Sequence, residues 1–167
     1  APEQSHGRLG SAYSSDGSSF TITPNVNGLV NQARYPSVIG GFDYPFVVWN
    51  EYTNPNAAAD GSESYGGRGY YAYDDFGWDG GGVTSPFPLD LTWTLDKDQW
   101  VGSVAYADNG GGSSQKFLVL YDDWFRDGYY LFKTDAYEEG FIVFSEEELL
   151  FDEANDFVGG TEEGGSF

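Results

Sequence analysis

The strongest constraint in this chain is an order of segments that occurs twice. "YPSVIG", "PFVVWNEYT", "RGYYAYDDF" and "PFPLDLTWTL" follow one another, and then "QWVGSVAYA", "QKFLVLYDDW", "DGYYLFKTDAY" and "GFIVFSEEELLF" do the same. Each is rich in aromatic and β-branched residues and is bounded by Gly, Pro, Asn or Asp, which is how strands read. Arg34–Val38 aligns with Trp100–Val104 at an offset of 66, Phe46–Glu51 with Leu118–Asp123 at 72, and Gly69–Tyr71 with Gly128–Tyr130 at 59. Loops of different length make the offsets unequal, but the order of the matches is kept. "DQWVGS" (98–103) then returns as "NDFVGG" (155–160), the expected start of a third unit.

A unit of four strands and about 60 residues has the size of a β-propeller blade. The fold class expected is therefore all-β, a propeller of four-stranded antiparallel blades with about two to three blades in the 167 residues. The divisions are 1–32, an N-terminal hairpin around "SDGSS" that closes or precedes a blade; 33–97, a blade; 98–154, a blade; and 155–167, the start of another. A closed ring needs at least about four blades, so the chain is expected to be part of a longer polypeptide or to complete a ring with other chains. Small residues in "PSVIG" and "GSVAYA" suit the crowded inner strand, and the aromatic segments suit the wider outer ones. A β-sandwich, the rival architecture, gives no reason for that taper to repeat. "SEEELLF" carries a capping-box pattern, Ser145 with Glu148, and reads as strand plus turn.

Composition narrows the function classes. The 27 acidic residues outnumber the 7 basic ones, for a formal charge of −20, which repels nucleic acid and anionic lipid. There is no Cys and one His, so thiolate chemistry is absent and His-based zinc or relay sites have little scope. No apolar run reaches the ~20 residues that span a bilayer. A start at Ala1-Pro2-Glu3 fits a secreted product freed of its signal peptide, with a trimmed chain as the alternative.

The acids leave two readings open. They solvate the surface, or some of them hold Ca²⁺, a hard cation that takes several oxygens. Asp122, Asp123 and Asp127 of "YDDWFRDG" are the leading metal candidates; Asp74, Asp75 and Asp79 of "YDDFGWDG", and Asp108 with Asn109, come next. None has EF-hand spacing, adjacent Asp residues on a strand point to opposite faces, and Asp with Gly also makes turns. The two look-alike motifs should lie at opposite ends of the blades. Loop aromatics Trp78, Trp124, Phe125 and Tyr137 are read either as platforms for sugar rings or as packing between blades. Trp124, Phe125 and Asp127 are the candidate ligand-binding set.

"ARYPSVIGGFDYPFVVWNE" resembles the opening of a sialidase-type (BNR/Asp-box) propeller, with Arg34-Tyr35-Pro36 at the Arg-x-Pro position and Glu51 near the end of the strand pair. "SSDGSSF" resembles a degenerate Asp-box: Ser14 and Asp16 stand in place, Ser18 replaces a Gly, and one residue is missing before the aromatic. "DQWVGSVAYA" with the segments after it is similar to secreted propellers of Bacteroidetes-like bacteria. The resemblance implies a secreted or cell-surface module with a binding or structural role, whose partner is a glycan, an envelope protein or further copies in an assembly. Its alternative implication is a fragment of a glycoside hydrolase. In that case Arg34 would be the first of three substrate-binding arginines and Asp43 the acid/base. Otherwise Arg34 pairs with an acid or stacks on Tyr35.

Overall fold

The computed structural model describes residues 7–28, 33–40, 45–54, 64–74, 83–107, 116–138, 141–152 and 156. They form an all-β structure of eleven strands: β1 (Ser11–Tyr13), β2 (Thr21–Thr23), β3 (Ala33–Gly40), β4 (Pro45–Tyr52), β5 (Gly67–Tyr73), β6 (Phe87–Pro88), β7 (Gln99–Ala107), β8 (Lys116–Asp123), β9 (Gly128–Glu138), β10 (Phe141–Phe144) and β11 (Glu148–Asp152). One antiparallel sheet has the order β3-β4-β5-β6 and another β7-β8-β9-β10, while β1 and β2 form a separate hairpin. In the second sheet β10 pairs with the C-terminal half of β9 and β11 with its N-terminal half, so two short strands share the fourth position.

The two large sheets carry the same register. Ala33 faces Glu51 and Arg34 faces Asn50, the pairing slips, and Ser37 faces Val48. In the second sheet Gln99 faces Asp123, Trp100 faces Asp122, the pairing slips, and Ser103 faces Leu120. The offsets of 66 and 72 thus hold strand for strand, down to a shared bulge after Arg34 and Trp100. The third strand corrects the letter match by one residue. Glu51 pairs with Arg68 and Asp123 with Gly128, which makes Arg68 and not Gly69 the counterpart of Gly128. One residue matters, because side chains alternate faces along a strand. The segment "PFPLDLTWTL" is strand only at Phe87–Pro88. Pro86 and Pro88 lack the N–H a ladder needs, and Asp90 accepts the Thr92 N–H in a turn.

The main core lies between the two sheets. Phe46 stacks on Phe117 with centroids 4.3 Å apart, and Tyr71 meets Phe144 edge-on and donates its hydroxyl to the Ile142 carbonyl at 2.8 Å. Phe46, Val48 and Tyr71 come from the first sheet, and Phe117, Val119 and Phe132 from the second. Under the register equivalence the counterparts of Phe46, Val48 and Tyr71 are Leu118, Leu120 and Leu131. Those three belong to neither core cluster and lie on the other face of the second sheet by strand alternation. The sheets therefore pack front to back, not like face to like face. Tyr121, fully buried, sends its hydroxyl to the Trp49 carbonyl at 3.1 Å. A Cβ on Gly69 would sit 2.7 Å from that ring, so the glycine is what lets the ring in. The N-terminal segment covers part of the first sheet's other face: Val26 and Leu9 pack with Trp49 and Ala72, and Gly7 bridges to Ala33 on the β3 edge.

Candidate functional site

The shared bulge shapes one end of the first sheet. Pro36 has no N–H and disfavours the right-handed helical region for the residue before it. Tyr35 sits at φ 49°, a left-handed conformation that costs a bulky residue about 1–2 kcal/mol, and 43% of it is exposed. Its ring meets Trp100 edge-on at 6.3 Å. Trp100 is buried, and it also contacts Tyr52 at 5.3 Å and Trp124 at 5.4 Å. Tyr65 stands edge-on to Tyr52, and the Arg34 guanidinium lies over the Tyr52 ring at 5.2 Å. Five rings and one cation make a continuous row, with Tyr35 and Trp124 opening to solvent on either side of Trp100.

Carboxylates anchor the row from below. Asp98 accepts N–H bonds from Tyr65 at 2.9 Å and Gly67 at 2.6 Å, and the Trp100 indole donates to it at 2.6 Å. Burial raises the Asp98 pKa above the ordinary carboxylate value despite those donors. Asp122 accepts the Trp124 indole N–H at 3.0 Å, which fixes that ring's tilt. Asp123 is fully buried and accepts N–H bonds from Asp98, Phe125 and Arg126. Arg126 holds Asp123 at 2.7 Å and grips Glu147 with both terminal nitrogens at 2.7 and 2.9 Å. Lys97 bridges Asp90 at 2.7 Å and Glu147 at 3.0 Å. Burial pushes the Asp90 and Glu147 carboxyls up, but their cationic partners outweigh it and hold both below their usual range.

The structure separates the residues singled out from sequence. Trp124 joins the aromatic row. Phe125 is exposed in the same turn, and Asp127 takes the left-handed position, φ 50°, that closes it. Arg34 lies over the Tyr52 ring. Asp122 and Asp123, as neighbours on a strand, face opposite ways and serve Trp124 and the turn, respectively. Among the described residues no group of three or more His, Asp or Glu side chains is placed to hold a metal ion. Arg34, Arg68 and Arg126 do not converge. Arg34 shares a face with Asn50, whereas Arg68 pairs with Glu51 on the other face and lies over Tyr70 and Trp93. Arg126 is tied into the acid network. Tyr137 lies in β9 rather than a loop. Asp43, Asp75, Trp78, Asp79, Asp108 and Asn109 fall outside the described residues.

Asp16 shows what the degenerate Asp-box does here: its carboxylate accepts the N–H groups of Ser18 and Ser19 and the Ser14 hydroxyl. These bonds hold its pKa far below the usual range. The look-alike motifs also part company. Asp74, at the end of β5, donates its N–H to the Pro45 carbonyl, while Tyr121–Gly128 makes the β8–β9 turn, whose counterpart in the first sheet is the Tyr52–Gly67 end.

Tyr35, Tyr52 and Trp100 escaped the sequence reading as site residues. The available signal was the bulge: Arg34-Tyr35-Pro36 and Trp100-Val101-Gly102 fall at the same repeat position, where pairing slips and side chains are re-aimed. Chemically the row offers flat apolar ring faces, two indole N–H groups already satisfied, and one guanidinium. That suits a ligand with flat C–H faces and little negative charge. Comparison with family models, curated proteins and solved structures finds no match. Among the described residues no helix is long and apolar enough to cross a membrane.

Proposed function

We propose that this chain is a binding module built from two propeller-type blades, and that it takes a glycan on the Tyr35–Trp100–Trp124 row. The front-to-back packing of two sheets with one register supports the blade reading, because radial stacking presents opposite faces of equivalent sheets to each other. The observation that carries the binding reading is Tyr35. A strained, exposed tyrosine is retained beside exposed Trp124 on a rigid buried Trp100, and residues held in costly conformations cluster at ligand sites. The C–H face of a pyranose matches such rings, and its neutral hydroxyls tolerate a surface that repels anions. No catalytic role is assigned: the Arg34 guanidinium rests on Tyr52, and Arg68 and Arg126 serve elsewhere. Placement outside the membrane, as a secreted or surface module, belongs to the same proposal.

Titration of neutral oligosaccharides, read by Trp fluorescence and by a glycan array, tests it. Trp124→Ala and Tyr35→Ala should each weaken binding at least about tenfold, the scale of one lost stacking contact of ~1.4 kcal/mol, with far-UV circular dichroism unchanged. Binding that survives both substitutions, or no glycan bound by the wild type, defeats the proposal.

A further inference from the structure

We infer that the chain carries the two halves of a head-to-tail interface and associates with a second copy of itself through them. The interface already seen between its own sheets shows what each half needs. The second sheet offers Val104, Val119 and Phe132 to the first, which answers with Ile39, Phe46 and Tyr71. The counterparts of Val104, Val119 and Phe132 on the first sheet are Val38, Val47 and Ala72. They line an open, mostly apolar groove of about 380 Å³, and Val38 is 72% exposed. Where Phe132 stands in one copy of the repeat the smaller Ala72 stands in the other, covered by Val26 and Leu9, so the open part of the groove lies over Val38 and Val47. The counterparts of Ile39, Phe46 and Tyr71 are Ala105, Leu118 and Leu131 on the outward face of the second sheet. There Ala105 is exposed and both leucines are half-buried.

Each face is thus the repeat-equivalent of one that is buried within the chain, and each is complementary to the other rather than to itself. Charge agrees. Lys116, one of only 7 basic residues, lies on the outward face of the second sheet, and Asp74 lines the groove. A chain of charge −20 would otherwise resist meeting its own copy. An interface between unlike faces propagates from copy to copy and closes into a ring when its rotation permits. The groove is at the Pro45–Asp74 end of the first sheet, away from the Tyr35–Trp124 row, so this inference stands or falls independently of the glycan proposal.

Cysteine cross-linking tests it cleanly because the chain has no Cys. Val38→Cys and Ala105→Cys both alter exposed positions and leave the core intact. Equimolar mixtures of the two variants should form a mixed disulfide dimer on mild oxidation, and neither variant alone should match its yield. A mixture that cross-links no better than the single variants overturns the inference. So does a Val38→Cys sample that dimerises as well alone, since that would mean like faces meet. As a second arm, Val47→Lys and Leu120→Lys should each abolish association altogether, dimers included, while the two mixed together still form a dimer through their remaining intact faces. Failure of that mixture to pair, with both variants folded, counts against it equally.

Discussion

Tyr35 shows how one residue is held against its own preference. The left-handed region is uncomfortable for a bulky side chain, yet Pro36 restricts the alternatives and the bulge demands a re-aimed side chain. Relief of that strain should separate folding from function. Tyr35→Gly removes the unfavourable φ but loses the edge contact with Trp100 and adds unfolded-chain entropy. The expected net change in stability is within about 1 kcal/mol of zero, while glycan binding falls as far as in Tyr35→Ala. Urea unfolding beside the binding titration checks this. A loss of several kcal/mol would mean Tyr35 is structural and its strain unrelated to a ligand.

At the scale of elements, the turn from β8 to β9 is held by a set of side-chain bonds. Asp123 organises its backbone, and Arg126 ties it to Glu147 just before β11 while lying over Tyr130 at 3.8 Å. Arg126→Ala leaves a fully buried Asp123 without its cation and frees Glu147 from one of its two. Destabilisation of about 2–4 kcal/mol is expected, less than a wholly buried pair because the guanidinium is partly solvated. Arg126→Lys should recover only part of it, since an ammonium cannot serve both carboxylates in the same fork. Thermal unfolding of the two variants decides; a loss under about 0.5 kcal/mol for the alanine would reduce the network to ordinary surface pairing. What the residues made legible follows the same division. Period-2 patterning and turn residues placed the strands because local chemistry specifies them, and the repeat offsets even carried the bulge. The third-strand match slipped by one, since Gly69 and Gly128 share a letter but not a hydrogen-bonding partner. Trp124 was visible as a turn aromatic. Its joining with Tyr35, Tyr52 and Trp100 was not, because that row spans 89 positions and depends on how two sheets lean on each other, which no local pattern encodes.

For the whole molecule, charge decides how stability responds to solution. Among the described residues five ion pairs use Lys97, Arg126 and Lys133, and with 27 acids against 7 basic residues most of the acids face like charge. Asp98, with its raised pKa, favours the fold when protonated; its contribution is complete below the ordinary 3.8 and is lost as pH climbs through the raised value. Asp90 and Glu147 act in the opposite sense. With lowered pKa values they stabilise above the ordinary 3.8 and 4.5, and that share vanishes as pH drops through their lowered values. Between these windows, protonation of exposed acids relieves repulsion while the Lys97–Glu147–Arg126 network stays ionised. The urea midpoint should therefore be higher near about pH 5 than near about pH 7, and it should fall again below about pH 4. At about pH 7, roughly 0.3 M NaCl should raise the midpoint and close most of the gap, because screening at that strength acts within several ångströms. A midpoint that drops between about pH 7 and 5, or that salt lowers, would show that the few ion pairs outweigh the net charge in setting stability.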